Sequence, residues 1–168
     1  MFLALDIGNS HVTCAVHNEK KWIHSIRISS NLDFWNKFKT LNEFDITHAA
    51  ISSVVPRLTS IYVESIRNIF HIDVFIIRYE NSGLELNVDI PEEVGSDRIC
   101  NSVAAKELEG YPTIIGDIGS ATNYDVVNEK GVFIGGAIAP GLETAAQNLF
   151  EKAALLKETA FTVPASAI

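Results

Sequence analysis

Apolar residues fall into short runs along the first third of the chain, and each run stops at a residue suited to turning the backbone. Residues 2–5 are apolar and are halted by Asp6 and Gly8, the pattern of a buried strand feeding a turn. Residues 12–16 and 22–28 read as two further strands, joined by the polar turn around His17-Asn18-Glu19-Lys20, so the chain is expected to open with a three-stranded meander. Residues 32–41 predict a helix and residues 49–55 a strand ended by Pro56. Leu58, Ile61, Tyr62, Ile66, Ile69 and Phe70 then recur at helical spacing, and residues 74–77 are strand again. The order β-β-β-α-β-α-β predicts an α/β fold with a mixed sheet and helices on its faces.

After a polar stretch over residues 80–93, a helix is expected from Ser96 or Asp97, carrying Ile99, Val103, Ala104 and Leu108 and punctuated by Gly110 and Pro112. The opening pattern then returns. Asp6, Ile7 and Gly8 reappear as Asp117, Ile118 and Gly119, a shift of 111 residues. Behind them come a strand over 123–127, a turn over 128–131, a strand over 132–139 and a helix over 142–156. Two copies of one lobe are the expectation, the first over residues 1–110 and the second begun over 111–168. The second copy is much the shorter and lacks its later strand, helix and strand. A sheet edge or apolar face is therefore expected to lie open, and truncation of a longer parent is the preferred explanation.

Composition narrows the field. The 168 residues are 47% hydrophobic and 20% charged, as in ordinary globular domains, which excludes disordered and fibrous classes. With 21 acidic against 13 basic residues the net charge is -8, and there is no basic run with interleaved aromatics. Nucleic acid is not an expected partner, and any phosphate must be held locally. Cys14 and Cys100 form no metal or disulfide pattern and read as reduced core residues. Neither a signal-peptide pattern nor a run of apolar residues long enough for a membrane span is present in the sequence, so no membrane association is expected and the expected compartment is the cytoplasm.

The chemistry sits on the turns. Asp6-Ile7-Gly8-Asn9-Ser10 places a carboxylate at a strand end, then a glycine, then two small polar side chains beside backbone N–H groups, an arrangement that can orient hydrated Mg²⁺ and cradle a phosphate. Alone it would equally suit a hairpin with an Asx turn. The second copy at Asp117-Ile118-Gly119-Ser120 favours two facing jaws. No P-loop or dinucleotide-binding glycine motif occurs. Gly95-Ser96-Asp97-Arg98 stands at a helix start. There Asp97 could take a proton from a hydroxyl and Arg98 could hold a carboxylate, or Ser96 or Asp97 could simply cap the helix. The stretch from Gly135-Gly136 to Pro140-Gly141 allows close backbone approach to a ligand, or a glycine-permitted strand-to-helix turn.

These stretches, with Ser52-Ser53-Val54-Val55-Pro56 and with Pro91-Glu92-Glu93-Val94 leading into Gly95, resemble in order and spacing the motif series of type III pantothenate kinases, from residue 1 to about Pro164. The resemblance implies the duplicated ribonuclease-H-like lobes of the actin-like ATPases, the second incomplete here. It also implies ATP-dependent phosphorylation of pantothenate to 4'-phosphopantothenate, the first step of coenzyme A synthesis. Carried over by position, Asp97 is the catalytic base, and Gly95, Ser96, Arg98 and Asn101 bind substrate, Arg98 at its carboxylate. Asp6, Gly8, Asn9 and Ser10 form the first ATP-phosphate loop, and Gly119, Ser120 and Thr122 the second. Asp6 stands on the Mg²⁺ side, Asp117 at a monovalent cation (K⁺ or NH₄⁺), and Gly136, Pro140 and Gly141 at the pocket floor. A homodimer is implied, and the face of the 142–156 helix bearing Leu142, Ala145, Ala146, Leu149, Ala153 and Leu156 is the expected interface. The chain departs from the family pattern at Asn123, where a hydroxyl is common, and at Val88, where a tyrosine-bearing motif is usual.

His11, His17, His24, His48 and His71 have no ligand spacing, and Trp22, Phe34, Trp35 and Phe38 are expected in packing. The alternative function is a non-catalytic, pantothenate-kinase-like regulatory or binding protein that uses the same lobes for ligand-dependent or protein binding. Another phosphotransferase of the superfamily is a third.

Overall fold

The computed structural model describes residues 1–30 and 38–153. Among the described residues, eight strands lie in two sheets. β1 (Phe2–Ile7), β2 (His11–His17) and β3 (Trp22–Ser29) form the expected antiparallel meander. β4 (His48–Ser53) and β5 (Val74–Ile76) add to it in parallel, giving the order β3-β2-β1-β4-β5. The second sheet is the antiparallel set β6 (Thr113–Ile118), β7 (Ala121–Val127) and β8 (Phe133–Pro140).

The duplication is literal. The three meander strands have 6, 7 and 8 residues in the first sheet and 6, 7 and 8 in the second. Asp6 pairs with Thr13 as Asp117 pairs with Asn123, so the second turn is one residue shorter than the first.

Three α-helices complete the described chain: α1 (Pro56–Phe70), α2 (Ser96–Glu109) and α3 (Leu142–Lys152). Pro56 both ends the β4 connection and starts α1, because a proline at the first helical position removes an N–H that has no partner there. α1 buries Leu58, Tyr62 and Ile66 against the side of the first sheet that carries Leu3, Leu5, Ile7, Val12, Cys14 and Ile51, which is the main core. The opposite side carries the small residues Ala4, Ala15 and Ala50 along with Asp6, Thr13 and Ser52. α2 contacts β4 of the first sheet and β6 and β7 of the second, so it bridges the two.

Several expectations are revised. The strand foreseen over 49–55 stops at Ser53, and β7 begins two residues earlier than foreseen. Most of the helix expected over 32–41 lies outside the described residues, and Lys39–Glu43 is a 3₁₀ turn. The stretch 80–93 is not merely polar loop. Leu86 bridges Phe133 at the edge of the second sheet, and Leu84, Leu86 and Val88 pack with Ile99 and Phe133 in a second small core. Their alternation with Glu85 and Asn87 is a strand pattern. Phe38 is buried as expected, whereas Trp22 is 57% exposed at the start of the edge strand β3, in a T-shaped contact with the His17 ring. Phe34 and Trp35 lie outside the described residues. Cys14 is buried and Cys100 half-buried, both free.

Candidate active site

The two Asp-Ile-Gly turns face each other. Both first strands end with their aspartate on the side turned toward α2, and the Ser10 and Ser120 hydroxyls lie 3.2 Å apart across the gap. Each turn is braced from behind. Ser30 donates its N–H to the Ser10 carbonyl and its hydroxyl to the Gly8 carbonyl (2.8 Å). In the second sheet the Gly141 N–H and the Thr144 hydroxyl both donate to the Ser120 carbonyl, at 3.0 Å each. A Cβ at Gly141 would run into the Gly119 and Ser120 carbonyls, so the start of α3 can close on the second turn only with glycine there.

The first turn of α2 is built into β4. Ser96 is nearly buried, and its hydroxyl accepts the Ser53 N–H at 2.7 Å and donates to the Ser53 carbonyl at 3.0 Å. Its neighbour Ser52 donates to Asp6 Oδ1 at 3.3 Å, and the Ser52 and Ser96 hydroxyl oxygens lie 3.2 Å apart, so the helix start and the first carboxylate meet across one pair of serines. Asp97 Oδ1 accepts the Arg98 N–H at 2.8 Å, curling the carboxylate over the helix start, where free N–H groups and the helix dipole stabilise negative charge. A Cβ at position 95 would stand 2.5 Å from that oxygen, so Gly95 is what makes room for it.

Asp6, Asp97 and Asp117 converge on one cleft of about 250 Å³ that also includes Gly8, Asn9 and Ser10. Burial holds the Asp6 carboxyl above its ordinary value of 3.8, the Ser52 hydrogen bond opposes this, and the charges of Asp97 and Asp117 push it further up. Neither Asp6, Asp97 nor Asp117 has an ion-pair partner among the described residues, and the cation that shares their cleft, Arg27, is hydrogen-bonded to His11 instead. No three His, Cys, Asp or Glu side chains among the described residues are grouped as a complete metal cage. That donor set fits Mg²⁺, which is commonly held by one or two carboxylates, waters and the substrate's own phosphates. Asn101 donates to Asp117 Oδ2 at 3.0 Å and orients that carboxylate from α2.

Of the residues singled out in the sequence, Asp6, Gly8, Asn9, Ser10, Asp97, Asp117, Gly119 and Ser120 all line this cleft. Asn101 borders the adjoining hollow, and Gly95 and Ser96 line another on the far side of the helix start. Gly136 sits tight against the Tyr124 carbonyl within the sheet. Two residues are placed elsewhere. Thr122 pairs with Ile118 on the opposite side of the sheet from Asp117, and Asn123 takes the place on the cleft wall. Arg98 does not line the cleft. Its Nε and Nη2 both donate to Asp125 Oδ1, and its guanidinium lies over the Phe133 ring. Arg27 and Thr13, which line the cleft, and Asp125, buried behind Arg98, were not foreseen. For Asp125 the signal was available: two polar residues, Asn123 and Asp125, alternate on the strand side that bears Asp117.

Comparisons with known proteins show the family and the fold. The family model described as type III pantothenate kinase matches residues 2–168. A type III pantothenate kinase from Dictyoglomus turgidum is 38% identical over 180 residues, covering 100% of this chain and 70% of that protein. Another from Citrifermentans bemidjiense is 35% identical over 185 residues, covering 100% and 71%. Among solved structures, a Baf family protein from Campylobacter jejuni superposes with a TM-score of 0.53 at 20% identity, over 96% of this chain and 68% of that one. The Ppx/GppA phosphatase of Aquifex aeolicus gives 0.53 at 15% identity, over 90% and 56%. At these identities the two structures speak to the fold, the actin-like arrangement of ribonuclease-H-like sheets.

Proposed function

The chain belongs to the type III pantothenate kinase family, and from that premise we propose that it transfers the γ-phosphoryl of ATP to the primary hydroxyl of pantothenate, giving 4'-phosphopantothenate for coenzyme A synthesis. The observation that carries this reading is the meeting of the two Asp-Ile-Gly turns, at Ser10 and Ser120, in a cleft that Asp97 also enters.

Phosphoryl transfer needs positioning and charge neutralisation more than covalent chemistry. In the proposed arrangement the N–H groups of Asn9, Ser10 and Ser120 and the hydroxyls of Ser10 and Ser120 hold the ATP phosphates, while Gly8 and Gly119 shape the two loops, each donating its N–H across its own turn to the His11 and Ala121 carbonyls. Asp97 accepts the proton of the attacking hydroxyl, with the substrate lying along Gly95, Ser96 and Asn101. Arg98 is the family's contact for the substrate carboxylate, and Nη1 is the guanidinium nitrogen that Asp125 leaves free for it. Asp6 would hold Mg²⁺ and Asp117 a monovalent cation, K⁺ or NH₄⁺, and such ions neutralise phosphate charge when bound. Two lobes divided near residue 110, work in the cytoplasm and a homodimer complete the reading. No helix among the described residues is long and apolar enough to cross a membrane. The dimer is supported by the exposed Leu142 and Leu149 on α3, and a sedimentation mass twice 18.4 kDa is its check.

The test is ADP release in the presence of ATP, Mg²⁺, K⁺ and pantothenate. Turnover should require pantothenate, and Asp97→Asn should cut kcat by about 10²–10⁴ while leaving the circular dichroism spectrum unchanged. Pantothenate-independent ADP release, or an active Asp97→Asn variant, would refute the reading.

A further inference from the structure

Asp125 is a fully buried carboxylate with one partner. Its Oδ1 accepts two hydrogen bonds from Arg98, from Nε at 2.9 Å and from Nη2 at 2.5 Å, and its Oδ2 is buried with no hydrogen-bond partner among the described residues. Arg98 is itself largely enclosed, its guanidinium carbon 5.6 Å from the centre of the buried Phe133 ring. A charge pair at such depth is costly to desolvate and adds little net stability over an apolar pair of the same volume. What it supplies is direction, because two charge-assisted N–H groups converging on the one oxygen Oδ1 hold the guanidinium at a set distance from β7.

What that direction controls is the neighbouring residue. Arg98 follows Asp97 in the first turn of α2, and the Arg98 N–H holds the Asp97 carboxylate at 2.8 Å. One turn further on, Asn101 ties the same helix to Asp117 of β6. On the other side Ser96 ties it to β4. The start of α2 is thus fastened to both sheets, and the Arg98–Asp125 pair is its charged, buried fastening to β7.

We propose that Asp125 is a positioning residue that, through Arg98, fixes the first turn of α2 so that Asp97 stands over the cleft. This rests on the reading of Asp97 as the base, and the test separates the two. Steady-state kinetics on the full chain would compare Asp125→Ala, Arg98→Ala, their double variant, an Arg98→Met/Asp125→Leu variant that refills the space without charge, and Asp97→Asn. The expected result is a kcat lowered about 10²-fold in both single variants, the scale of a displacement near 1 Å, with KM for ATP unchanged. The alanine double variant should be no worse than either single, since the pair acts as one unit. The apolar pair should recover the wild-type melting temperature and leave kcat low. Recovery of both would make the pair structural only and overturn the proposal. So would an Asp125→Ala variant that raises KM for pantothenate alone with kcat intact, which would assign Arg98 purely to the substrate carboxylate. Full activity in Asp97→Asn would refute the base assignment instead, whatever the Asp125 variants do.

Discussion

Leu3 and Ile114 occupy the same place in two copies of one strand, 111 residues apart, yet Leu3 is fully buried and Ile114 is 74% exposed. The contrast repeats four residues on, where Ile7 is fully buried and its counterpart Ile118 is 77% exposed. Between those positions the chemistry is alike: each strand brings an aspartate to the same cleft and ends in the same Asp-Ile-Gly turn. A carboxylate, a glycine and small polar residues shape a turn through bonds among near neighbours, so the turn is reproduced wherever the short motif is. Burial depends on what packs against a strand from far along the chain. The first copy has β4 and α1 for that, while in the described part of the second no strand pairs with the outer edge of β6, and Ile114 and Ile118 stay exposed even with α3 against β7.

The largest effect that would sharpen this contrast is at Leu3. Leu3→Ala removes a side chain packed into the main core and should cost about 2–5 kcal/mol, from lost burial plus the cavity left behind. Chemical denaturation reads it directly. A loss under about 1 kcal/mol would mean that the first sheet's core is looser than its burial indicates.

The same distinction explains what could be read in advance. The meander, the repeat and both turns were legible because their signals are local: apolar runs, a polar hairpin turn, glycine after aspartate. The convergence of Asp6, Asp97 and Asp117 was legible only through the motif series as a whole, since no spacing rule relates residues so far apart. The Arg98–Asp125 pair escaped notice because an arginine beside a candidate base reads as a ligand contact, and only the packing of α2 on β7 reveals its partner. Residues 84–88 were missed as a strand-like edge because glutamate and asparagine between the apolar positions made the stretch read as loop.

A smaller effect tests the shared chemistry rather than the packing. Asp6 has a carboxyl pKa raised by burial first, and by Asp97 and Asp117 as well, so its ionised form is disfavoured in the folded state. The sign follows from linkage: the stability that goes with a protonated Asp6 is fully present below 3.8 and is lost as pH rises through the higher folded-state value. Asp6→Asn, which mimics the protonated form, should therefore melt modestly above wild type at pH 7 without metal, and the gap should close as pH falls toward 3.8. Added Mg²⁺ should narrow the gap at pH 7 by stabilising the wild type alone. An Asp6→Asn variant that melts below wild type at pH 7 would mean that its Ser52 hydrogen bond outweighs desolvation.

The smallest expected effect is the most diagnostic of the comparison. Ile114→Ala deletes atoms at the position equivalent to Leu3, but most of that side chain already faces solvent, so little burial is lost and no cavity opens. The change should stay within about 0.5 kcal/mol, as for ordinary surface substitutions, and should not vary with protein concentration. The outer side of the second sheet carries Ile114, Ile118 and Tyr124 together, an apolar row that water meets at a cost. If a second copy covers that row in solution, Ile114→Ala will instead destabilise by an amount that grows with protein concentration, because oligomer stability is inseparable from it. A concentration series of thermal melts on the wild type and Ile114→Ala thus decides whether the two copies of the strand differ in solution as they do in the fold, or whether the second is buried by other means.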